Sequence, residues 1–73
     1  IKAFFVISYI NEGTVGISAR SDGSINVQKI MEEMGGGGHF SAAATQIDSN
    51  SLEETKEELY SKLESYIGDN RIE

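Results

Sequence analysis

The stretch "KAFFVISYI" (2–10) carries apolar residues on both parities of the strand alternation. That pattern predicts a central β-strand buried on both faces. "NEG" (11–13) suits a three-residue hairpin loop with Gly13 in the left-handed conformation. "TVGISARS" (14–21) then alternates cleanly, with Val15, Ile17 and Ala19 on one face and Gly16, Ser18 and Arg20 on the other. Arg20 falls near the end of this strand, and "SDGS" (21–24) reads as a turn.

From residue 26 the period changes. Val27, Ile30, Met31 and Met34 follow the i, i+3, i+4, i+7 spacing of a helix face, behind Asn26 as N-cap and ahead of Gly35 as a left-handed C-cap. "SAAATQID" (41–48) has the length of a strand with Ala43, Thr45 and Ile47 on one layer. Its alanines also favour helix, so a helical turn at Ser41–Ala42 competes at its start. "SLEE" (51–54) has capping-box spacing; Leu52, Leu59, Leu63, Tyr66 and Ile67 make one apolar stripe, and Gly68 is expected to close the helix. The predicted order is β-β-α-β-α: an α+β fold with a small sheet of about three strands and two helices packed on one side of it.

Composition narrows the chemistry. The 73 residues suit one small domain, and Ile1 in place of an initiator methionine leads us to expect a fragment of a longer protein. With no cysteine and a single histidine, thiolate and imidazole-rich metal sites are excluded, and a reducing compartment is the natural setting. No apolar run approaches the roughly 20 residues that span a bilayer. The net charge of −6 is concentrated in residues 49–73, where seven acids face three bases; residues 14–47 hold three acids and two bases. Such a surface does not grip long nucleic acid, whereas a small anion held by local donors remains possible.

The candidate site is "MEEMGGGGHFSAAAT" (31–45). Each glycine costs about 0.5–1 kcal/mol relative to alanine in ordered structure, so four together need a reason. With Gly35 assigned to the helix end, Gly36, Gly37 and Gly38 are free to turn bare N–H groups toward one point, as in an anion nest. A helical turn at Ser41 would add its own amides, His39 can donate from its ring, and Arg20 can offer a bidentate guanidinium. The nucleotide-hydrolase phosphate loop is excluded, because His39 and Phe40 stand where lysine and a hydroxyl residue belong. The dinucleotide fingerprint fails too, since the run follows a helix and lacks glycine at Phe40. A flexible linker is the plain alternative. With no paired acids near the glycines, the chain is read as binding and positioning, with no catalytic residue of its own.

"VGISARSDGSINVQKIMEEMGGGGHFSAAATQI" resembles the DHH-associated domain, the substrate-binding half of DHH-family phosphoesterases. The shared features are a strand ending in S-x-R-S, an N-V helix and G-G-G-G-H, and the closest likeness is to the GdpP/YybT-type enzymes that hydrolyse cyclic di-AMP. This resemblance implies a phosphate-binding loop at Gly36, Gly37, Gly38 and His39, with Arg20 and Ser21 of the S-x-R-S strand end at the substrate. It implies further that two manganese ions sit on a preceding DHH catalytic domain, the chain's natural partner, which none of these residues belongs to. A cytoplasmic location in a membrane-tethered parent follows from the same likeness, without membrane contact by this segment. Two other functions stay open: a RecJ-like or oligoribonuclease-type subunit acting on short RNA or single-stranded DNA, and a non-enzymatic interaction module.

Overall fold

The computed structural model describes residues 2–69. In chain order the elements are β1 (Ala3–Asn11), β2 (Thr14–Ser21), α1 (Val27–Glu33), β3 (Gly37–His39), β4 (Ala42–Asp48) and α2 (Leu52–Asp69). The four strands form one antiparallel sheet in the order β1-β2-β4-β3. The α+β class and the two helices are as predicted; the sheet has one strand more than expected, because part of the glycine run pairs with β4.

The core lies between the sheet and the helices. Val15, Ile17 and Ala19 of β2 and Ala43 of β4 are buried with Val27, Ile30, Met31 and Met34 of the first helix and Leu59 of the second. The parity read from "TVGISARS" therefore holds, as does that of Ala43, Thr45 and Ile47. Polar groups that enter the core are satisfied: Thr45 Oγ1 donates to the Met34 carbonyl at 3.0 Å. Asn26 caps α1 by accepting from the Lys29 amide, and its own N–H donates to Tyr66 Oη at 2.9 Å, which ties α2 to the start of α1.

Several expectations are corrected. β1 is an edge strand, not a central one: its inward residues Ala3, Phe5 and Ile7 are half-buried, while Phe4, Val6 and Ile10 on the other face are exposed. Apolar residues on both parities mimic two-sided burial when one face is uncovered. Asn11 pairs with Thr14, so the first hairpin loop is Glu12–Gly13, with Gly13 at φ +84° and a register shift between Tyr9 and Asn11. Ser41–Ala42 is not a helical turn; His39 pairs with Ala42, so Phe40 and Ser41 make the tip of a β3–β4 hairpin. α2 runs on through Gly68, Ile67 is exposed, and Thr55 takes a buried place on the stripe. Ser51 does cap α2 by accepting from the Glu54 amide, but its own N–H donates to Ser49 Oγ, where a capping box would use Glu54. Among the described residues no helix is long and apolar enough to cross a membrane.

Tyr66→Phe removes the acceptor for the Asn26 amide. We expect a loss of about 1 kcal/mol, read as a lower urea midpoint with an unchanged m-value.

Candidate functional site

The first two glycines of the run belong to the helix end. Gly35 has φ +88°, its N–H donates to the Glu32 carbonyl at 3.1 Å, and the Gly36 N–H donates to that of Met31 at 2.8 Å. These two bonds are a Schellman ending, which satisfies carbonyls the helix leaves open. The amide of Gly36 is thus used internally. Its missing side chain is also required: a Cβ there would run into the Ala44 carbonyl oxygen and Thr45. Gly38, at φ +142°, is also too close for a side chain, with a Cβ 2.7 Å from the Ala42 oxygen and Ala43 Cα.

Gly37 differs. A Cβ on it would meet nothing within 4 Å, and its φ is not in the left-handed range. Neither packing nor backbone conformation demands glycine at this position. The convergent nest expected for residues 36–38 is therefore corrected to an edge strand, whose successive peptide groups turn to opposite sides.

What the edge strand does is bring His39 into register. Phe4 pairs with Arg20, Arg20 with Ala42, and Ala42 with His39, so these four residues form one row across all four strands. Cross-strand partners share a face, and this one is opposite to the face of Ala19 and Ala43 that packs on the helices. The adjacent row is Val6, Ser18, Ala44 and Gly37. Arg20 and His39 hence flank a floor of small residues (Ala42, Ala44, Gly37 and Ser18), with Cα atoms two strand spacings, about 10 Å, apart.

Both flanking side chains are exposed and poised as donors. Arg20 Nη1 donates to the Ala19 carbonyl at 3.1 Å, and among the described residues the guanidinium makes no ion pair. The His39 ring lies against Phe40 with centroids 4.6 Å apart, and its Nδ1 is 3.4 Å from Ser41 Oγ. In the tautomer that accepts at Nδ1, the ring proton is on Nε2. The hairpin tip is latched from behind: the Val27 N–H donates to the Phe40 carbonyl at 3.0 Å, and the Ser21 N–H to that of Ser41 at 2.9 Å.

Ser21 points to the helix side of the sheet. Its hydroxyl donates to the Ile25 carbonyl at 2.7 Å and accepts from the Gly23 amide, so it braces the 21–25 turn. In the same turn the Ser24 hydroxyl and amide both donate to Asp22 Oδ1, which holds that exposed carboxyl below the usual aspartate range. Of the six residues singled out from the sequence, Arg20, Gly37 and His39 share one face. Gly38 lies in the same edge strand, whereas Gly36 and Ser21 serve the scaffold. Sequence reasoning missed Ala42 and Ala44 as the floor, although "AAA" in a strand is itself a signal for a flat, close-approach surface. Among the described residues no group of three or more His, Asp or Glu lies close enough together to hold a metal ion.

A protein family described as the DHHA1 domain matches residues 1–69. The chain is 48% identical over 66 residues to the cyclic-di-AMP phosphodiesterase PdeA of Listeria monocytogenes, covering 90% of this chain and 10% of that protein. It is 48% identical over 67 residues to the cyclic-di-AMP phosphodiesterase GdpP of Geobacillus thermodenitrificans, covering 92% and 10%. A membrane protein–ribosomal subunit bL9 fusion protein of Onion yellows phytoplasma is 41% identical over 75 residues, covering 100% of this chain and 9% of its own length. The chain thus spans about a tenth of the length of these curated relatives.

Two of the four glycines separate by substitution. Gly36→Ala is expected to cost about 1–3 kcal/mol through overpacking against β4, whereas Gly37→Ala stays within about 0.5 kcal/mol of the parent. Urea unfolding of the two variants side by side checks both.

Proposed function

Because the chain belongs to the DHHA1 domain family, we propose that its residues 1–73 are one domain, the substrate-binding half of a manganese-dependent phosphodiesterase that hydrolyses cyclic di-AMP to a linear dinucleotide. The observation that carries this reading is the cross-strand row in which Arg20 and His39 stand on either side of Ala42. Two donors about 10 Å apart over a flat floor suit a phosphodiester that approaches the sheet face closely. Its likeness to the two cyclic-di-AMP phosphodiesterases over most of the chain supports the choice of substrate.

In this reading the guanidinium of Arg20 engages two oxygens of one phosphate, which its planar fork matches bidentately. The Nε2–H of His39 donates to another oxygen. Gly37 contributes by carrying no side chain on the face where the sugar-phosphate backbone passes, while Gly38 lets the strand close on β4. Gly36 and Ser21 act one step back: Gly36 lets β3 close on β4, and Ser21 braces the turn behind Arg20. The described residues gather no metal-ligand set, so they do not fit manganese. The proposal assigns the metal to a DHH domain outside these residues and derives no step through it. This chain binds and orients. The same reading has it on the cytoplasmic side of a membrane-tethered parent, its partners being the cyclic dinucleotide and the DHH domain. Long single strands are the weaker choice of substrate, because the net charge of −6 opposes contact with many phosphates.

In the full-length protein, Arg20→Ala and His39→Ala are each expected to lower kcat/KM for cyclic di-AMP roughly 10- to 100-fold, the worth of one charge-assisted hydrogen bond. Circular dichroism of each variant confirms folding. Unchanged turnover in both variants overturns the reading, and tighter binding of a ten-nucleotide strand than of cyclic di-AMP moves it to the nuclease branch.

A further inference from the structure

The row does not stop at Arg20. On its far side from the Ala42 floor stands Phe4, directly paired with Arg20 across β1 and β2. The core takes Ala3, Phe5 and Ile7 from β1 and leaves Phe4 out, 54% exposed. Beside it, at the end of the β1–β2 pair, the surface dips into a depression of about 300 Å³ lined by Lys2, Ala3, Phe4, Arg20, Ser21 and Asp22. That volume lies at the lower end of small-ligand sites. The Asp22 amide donates to the Lys2 carbonyl at 3.0 Å, which carries the β1–β2 pairing one step past the strands. Strand alternation then sets Lys2 and Asp22 on the same face as Phe4 and Arg20.

The order along the row is aromatic ring, guanidinium, small floor, imidazole. Resting on the phosphate reading above, we infer that Phe4 is a stacking platform for a nucleobase whose phosphate lies between Arg20 and His39. An exposed aromatic ring accepts any base, because every base has a π-face. Phe4 and Ala42 are two strand spacings apart, about 10 Å, which leaves room for one ribose between base and phosphate. Lys2 and Asp22 line the same depression beside the ring, where Asp22 Oδ1 already accepts from Ser24. A phosphate-only site would need no aromatic ring in this row, whereas a nucleotide site makes use of one.

The test uses the full-length phosphodiesterase with AMP and ribose 5-phosphate as competitive inhibitors, which differ only in the base. Phe4→Ala is expected to weaken inhibition by AMP about 5- to 100-fold and to leave ribose 5-phosphate within twofold; Phe4→Trp restores AMP. Arg20→Ala weakens both ligands. An equal effect of Phe4→Ala on the two inhibitors, or no effect on AMP, overturns the stacking role. If Arg20→Ala spares both ligands while Phe4→Ala weakens AMP alone, the phosphate reading fails and the base platform stands.

Discussion

The contact on which the site rests is the approach of the Gly36–Gly38 backbone to β4, close enough that no Cβ fits at either end of it. Interiors are packed to the density of organic crystals, so a clash of this kind cannot be absorbed by slack. It has to be met by leaving atoms out. With them gone, three residues pair with β4 and the sheet gains an edge, and His39 arrives in line with an arginine two strands away. Without that approach, the same residues would form a loop between α1 and β4 with no fixed relation to Arg20.

The electrostatics work at short range. A chain with twice as many acids as bases repels anions at a distance, but charges at physiological salt are screened beyond about 8 Å. The acids cluster in α2, on the helix side of the sheet, while Arg20 and His39 lie on the opposite face. On the proposed reading Arg20 and His39 act on the anion at short range, against Asp22 and Asp48 of the same face.

Much of this was legible beforehand, for reasons that can be named. α1 was readable because Val27, Ile30, Met31 and Met34 keep the helical spacing between an N-cap asparagine and a C-terminal glycine, and the structure buries all four. β2 was readable because its two faces differ in polarity. β1 reads as a central strand because Phe4, Val6 and Ile10 are apolar on an uncovered face, and hydrophobicity alone does not say which neighbour covers a surface. β3 was illegible as a strand, since glycine has low strand propensity and its pairing depends on what β4 leaves out. The sequence did point to Arg20 and His39 as neighbours in function. Their shared row needed the register of three strand pairs, which no local pattern encodes.

The latch from the Val27 amide to the Phe40 carbonyl has a thermodynamic meaning beyond its role in packing. It ties down the hairpin tip as part of folding, so on the proposed reading the imidazole next to it already stands near the position from which it would donate to a phosphate. Less rotational and backbone freedom is then surrendered on association, and more of each donor's interaction appears as affinity. A seven-residue helix, too short to persist alone in water, thereby serves as the anchor that keeps a two-residue turn rigid.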